Sequence, residues 1–144
     1  MGYDFDYSGE LVLLDERVER FVDYAFAALP WLEGTERTVG DILKAAFDAD
    51  EVLEQPTEAI QGRGAATVYQ VYGCTRGDRP EALLAVFARY GVGTVDCCGE
   101  DNSLWRWLLS GRVLHTADAV VTYPDLDGVT TEVVPDLDDL PVLA

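Results

Sequence analysis

The sequence predicts an α+β domain in which an antiparallel or mixed sheet carries helices on one face. Three observations lead there. Val18, Phe21, Val22, Ala25, Phe26 and Leu29 recur at helical spacing and form one apolar stripe. Ala66–Cys74, Val92–Cys98 and Ala119–Tyr123 are β-branched and aromatic runs bounded by Gly, Pro or Asp. Helices and strands alternate early in the chain, whereas strands alone fill its later part. With 144 residues, 49% of them hydrophobic, the chain is long and apolar enough for one domain over 1–144.

Residues 3–14 alternate at first and then run apolar through Leu11-Val12-Leu13-Leu14, so a first strand is expected near Glu10 to Leu14. Asp15 is a suitable N-cap for the helix that follows, and Glu16 suits its first turn. Glu16 and Arg20 are spaced to pair across one turn, and Pro30 ends the helix. Thr38-Val39-Gly40-Asp41 has capping-box spacing. It opens a second helix that buries Val39, Ile42, Leu43, Ala46 and Phe47, with a continuation through Asp50–Leu53 left open. Gln55 to Gly64, with Pro56, Gly62 and Gly64, reads as a loop. Ala66 to Cys74 is the second strand. Asp78-Arg79-Pro80-Glu81 caps a third helix carrying Leu83, Leu84, Phe87 and Tyr90, and Gly91 stops it.

The stretch from Gly91 to Pro124 holds two of the three Trp, two of the three Cys and the single His. Val92–Cys98 is a strand, and Gly99-Glu100-Asp101-Asn102 is a turn. Leu104–Leu109 has two readings. As a helix it would send Trp105 and Trp107 to opposite sides. As a strand it places both Trp and Leu109 on one face and Leu104, Arg106 and Leu108 on the other. The Ser110-Gly111 turn and the return strand from Arg112 favour the hairpin. Ala119–Tyr123 is a further strand, Val129–Val134 an edge strand, and residues 135–144 an acidic tail. The nearest named architecture is a ferredoxin-like core with added C-terminal strands.

The formal net charge is −17, from 27 acids against 10 bases. Such a field repels nucleic acid and anionic membrane and attracts basic protein surfaces. An acidic chain with a single lysine also fits a salt-adapted or GC-rich source. No apolar run reaches the length of a membrane span, and the N-terminus has no basic, apolar leader. Three Cys without a Cys-x-x-Cys pair fit neither a disulfide scaffold nor a zinc site and point to a reducing cytoplasm.

Little in the sequence points to catalysis. Cys74, Cys97 and Cys98 sit among acids, which works against a thiolate, and read as small buried side chains. Asp96, Glu100, Asp101 and His115 are the candidate polar site, because carboxylates at a strand end serve acid–base or divalent-cation chemistry. Asp and Asn belong in a polar turn at a strand end in any case, and His115 reads more readily as a half-buried sheet residue. No metal or other cofactor is expected: a lone His supports no multi-histidine site, and neither glycine pair forms a phosphate loop. The candidate partner-binding residues are Glu16, Glu19 and Asp23 on one helix face, Asp48, Asp50 and Glu51 after the second helix, and Trp105 and Trp107. Carboxylates at phosphate-like spacing can occupy a basic groove, and Trp is favoured in binding hot spots.

Gly99-Glu100, Leu104-Trp105-Arg106, Gly111-Arg112 and Tyr123-Pro124, together with the Met-Gly-Tyr start, resemble a group of small phage and actinobacterial proteins. The resemblance covers the C-terminal third. It implies a phage-type α+β protein without assigned chemistry and carries over no functional residues. The expectation is therefore a non-enzymatic acidic inhibitor or nucleic-acid-mimicking decoy of anti-defence type, bound to a basic, nucleic-acid-handling protein. The alternative is a small enzyme or ligand-binding domain near Glu100.

Overall fold

A six-stranded antiparallel sheet, order β2-β3-β1-β4-β5-β6, carries the fold. It is formed by β1 (Asp4–Leu14), β2 (Leu53–Thr57), β3 (Ala66–Arg76), β4 (Val92–Gly99), β5 (Leu104–Ser110) and β6 (Val113–Asp118). Among the described residues three α-helices accompany it: α1 (Val18–Ala28), α2 (Val39–Phe47) and α3 (Arg79–Phe87). A separate hairpin pairs β7 (Val120–Thr122) with β8 (Thr130–Glu132). These coordinates are a computed structural model that describes residues 3–58, 64–118, 120–122 and 130–132.

The alternation in β1 decides which face is covered. Phe5, Tyr7, Leu11 and Leu13 are buried on the helical side, while Asp6, Ser8 and Glu10 point the other way into solvent. The register repeats that choice across the sheet: Leu11 faces Tyr69, and Gly9 faces Val71 and Val95. Against this face lie Phe21, Val22 and Ala25 of α1, Ile42, Leu43 and Phe47 of α2, and Leu83, Leu84 and Phe87 of α3. Phe21 meets Phe87 edge-on at 5.1 Å, joining α1 to α3. The uncovered face carries cross-strand polar pairs: Asp4 with Arg76 at 2.8 Å, Glu10 with Gln70 at 3.0 Å and Asp96 with Arg106 at 2.5 Å.

Several expectations hold. The Thr38 hydroxyl accepts from the Asp41 N–H at 3.1 Å and donates to the Asp41 carboxylate at 2.7 Å. The Leu104–Leu109 segment is a strand. Its turn to β6 falls one residue later than expected: Ser110 ends β5, Gly111 at φ 65 and Arg112 at φ 66 give the two positive values of a type I′ hairpin, and the return strand starts at Val113 rather than Arg112.

Others are corrected. The first strand starts at Asp4 rather than Glu10, because an alternating strand with one wet face needs no apolar run. Asp15 does not cap α1: it opens a single 3-10 turn, and its carboxylate accepts from Thr67. Among the described residues Glu16 and Arg20 form no ion pair. The second helix stops at Phe47, where Asp48 adopts a left-handed conformation at φ 53. The expected loop at Gln55–Gly64 begins as the edge strand β2, which tolerates Pro56 because an edge leaves one side of the ladder unused. Asp78 precedes α3 without a side-chain capping bond. Of the expected Ala119–Tyr123 and Val129–Val134 strands, the described parts are β7 and β8, which pair with each other outside the main sheet; the remaining residues of both lie outside the described ones. Pro124, the 135–144 tail and Gly62-Arg63 lie outside the described residues.

Candidate functional site

The site grows from Tyr3. Gly99, at the end of β4, has no side chain, and a Cβ there would stand 2.6 Å from Tyr3 Cζ. The missing methyl lets the Tyr3 ring lie against the strand end. The turn after β4, with Asn102 at φ 67, then brings Asp101 to the Tyr3 hydroxyl, which donates to Asp101 Oδ1. Asp101 Oδ1 also accepts from the Ser103 N–H at 3.1 Å. The Tyr3 bond, followed by those from Ser103, holds the Asp101 carboxyl at about 2, below its ordinary 3.8. The same bond to Asp101 raises the Tyr3 phenol.

The register sets β5 beside this ring. Cys97 faces Trp105 and Val95 faces Trp107, so both indoles lie on the helical side of the sheet. Trp105 stands 6.3 Å from Tyr3, 5.4 Å from Phe5 and 6.0 Å edge-on from Trp107, and Phe5 meets Trp107 edge-on at 5.7 Å. Trp107 is buried and Trp105 half-buried. These four rings form one wall of a cleft of about 690 Å³.

The rest of the lining is acidic. Gly77, at φ 88, turns the chain from β3 into α3, which brings Asp78 and Glu81 to the cleft, while β6 contributes Asp118, the cross-strand neighbour of Trp105. All three carboxylates are exposed, and among the described residues none belongs to an ion pair. Among the described residues no Lys or Arg lines the cleft. Arg89 and Arg112 line an adjoining groove that shares Asp78 and Glu81, and Arg89 lies over the Tyr24 ring at 4.5 Å. An aromatic and anionic lining suits a cation, which gains both a π face and a counter-charge.

Of the predicted partner-binding residues, Trp105 and Trp107 meet in this cleft. Glu16, Glu19 and Asp23 are exposed on the 3-10 turn and α1, and Asp23 is held by Arg37 at 2.6 Å. Asp48, Asp50 and Glu51 line a different hollow of about 550 Å³ beside Tyr7, Tyr72 and Cys74. The alternative polar residues do not converge. Asp96, tied to Arg106, and His115, whose Nε2 lies 3.1 Å from the Ser110 carbonyl oxygen, occupy the uncovered face. Glu100 and Asp101 form the turn at the strand end, where the Glu100 N–H donates to the Asp4 carbonyl at 3.0 Å. Among the described residues no three His, Cys, Asp or Glu side chains gather as a metal site. Burial pushes the Cys97 thiol up to about 12, and the Cys74 thiol is raised by desolvation and by the Asp6 carboxylate. Neither is a poised thiolate.

Sequence reasoning missed Tyr3, Asp78, Glu81 and Asp118. Asp78 and Glu81 carried a capping signal that hid their position, and Tyr3 and Asp118 reach the cleft only through strand register. Comparison with family models, with curated proteins and with solved structures finds no match to this chain.

Proposed function

We propose that this chain is a non-enzymatic acidic interaction protein that binds a basic, nucleic-acid-binding protein. The carboxylate-bearing aromatic cleft carries the reading: Asp78, Glu81 and Asp118 share its lining with Tyr3 and Trp105, and among the described residues no base does. A net charge of −17 adds a long-range field that draws a basic surface in. The exposed acids of α1 extend that field, as a decoy imitating phosphates needs.

The finer architecture belongs to the same reading. The order β2-β3-β1-β4, with α1 and α2 between β1 and β2 and α3 between β3 and β4, supports a ferredoxin-like core to which β5 and β6 are added. The phage-type assignment rests on the resemblance of the C-terminal third, and the anti-defence role on the acidity of the chain. The free, exposed Cys74 thiol suits a reducing cytoplasm.

The test is displacement of labelled duplex DNA from protamine, an arginine-rich nucleic-acid-binding protein. The chain is expected to release the duplex at low salt and to lose that ability as salt rises. Failure to bind protamine at low salt contradicts the proposal.

A further inference from the structure

We infer that the cleft is a receptor for an arginine side chain, presented by the basic partner and laid over Trp105 between Asp78, Glu81 and Asp118. The inference rests on the interaction reading above and adds a specific ligand chemistry and place.

The molecule shows how its half-buried rings are satisfied elsewhere. Arg37 lies over Phe26 at 4.6 Å, Arg79 over Trp31 at 4.9 Å and Arg89 over Tyr24 at 4.5 Å. Each guanidinium comes from the chain itself. Trp105 and Tyr3 have no such cation among the described residues, although Trp105 offers an indole, the strongest π partner. Nearby, three carboxylates are without an ion-pair partner among the described residues. One absent guanidinium completes both sets: its plane stacks on the ring while its edge donates to carboxylate oxygens.

Arginine is favoured over lysine on geometry. A flat guanidinium can stack and donate in plane at once, whereas an ammonium is a strongly hydrated point charge. The cleft, at about 690 Å³, is roomier than one side chain needs, which fits an arginine held within a longer segment.

The experiment is calorimetric titration of the full chain with an arginine–glycine repeat peptide and with its lysine counterpart. Two triple variants are compared: D78N/E81Q/D118N in the cleft, and E33Q/E36Q/E58Q outside its lining. Both change the net charge equally and touch only exposed positions. The cleft variant is expected to lose affinity for the arginine peptide by on the order of ten-fold. The remote variant should lose only a small part of that, and the lysine peptide should bind more weakly than the arginine peptide. Equal losses in both variants overturn the cleft assignment while leaving the acidic-binder reading standing. Equal binding of the two peptides overturns the preference for guanidinium. No binding of either peptide at low salt overturns both readings together.

Discussion

The Tyr3 hydroxyl donates to Asp101 Oδ1, so the residue before β1 is tied to the turn between β4 and β5. This bond fixes Tyr3 as the outer wall of the cleft. Its pH dependence follows from sign. The Asp101 carboxyl is held at about 2 when folded, so its bond contributes stability above the ordinary value of 3.8 and loses it as pH falls through about 2. Acid unfolding of Tyr3→Phe should therefore lack that part of the slope seen in the parent chain. Identical slopes below pH 3.8 would show that the bond does not persist in solution.

Gly99→Ala tests the same wall from its other side. The new methyl lands on the Tyr3 ring, the movable end of a side chain, so the fold is kept while the ring swings away. The indole N–H resonance of Trp105 should shift, and global stability should fall by only about 1 kcal/mol.

Gly9→Ala is predicted to behave quite differently. A Cβ at Gly9 would meet the Thr94 carbonyl oxygen and stand 2.6 Å from Val95 Cα, and both are backbone of the neighbouring strand. Strands β1 and β4 would have to part at the centre of the sheet. A loss of about 3 kcal/mol in urea unfolding is expected, the upper end of overpacking costs. A loss under about 0.5 kcal/mol, ordinary for surface substitutions, would contradict the central pairing.

Phe21→Ala probes the joint between the helices. Phe21 is fully buried and packs edge-on against Phe87. Its truncation should cost about 3–5 kcal/mol. The Asp96–Arg106 pair should contribute far less, because the Asp96 side chain is 60% exposed. A double-mutant cycle on D96N and R106Q should give a coupling of about 0.5–1 kcal/mol that shrinks with salt.

At high pH the buried phenols and thiol limit stability. Burial raises Tyr7, Tyr69 and Cys97 to about 12, from ordinary values of 10.0, 10.0 and 9.0. Each raised group contributes stability that is whole below its ordinary value and lost as pH rises towards about 12. Thermal unfolding should fall steadily over that window. Cys97→Ala should remove the earliest part of the decline.

Periodicity made the helices legible, because a stripe such as Val18–Leu29 admits one period only. It also gave the β5 face that brings Trp105 and Trp107 together. It failed at β2, where Pro56 and exposed Leu53 gave no burial signal, since an edge strand is defined by its neighbour. The cleft was half legible for the same reason. Its two Trp share a strand and could be read locally, but Tyr3, Asp78 and Asp118 arrive from three other segments. Only the pairing of β1 with β4, β4 with β5 and β5 with β6 assembles them.

The most direct test of the account follows the indole N–H resonances during titration with an arginine–glycine repeat peptide at low salt. The account predicts that the Trp105 signal moves while that of Trp31, already covered by Arg79, stays in place. Signals that all remain still, or Trp31 and Trp105 shifting alike, would contradict a cleft built to receive a guanidinium.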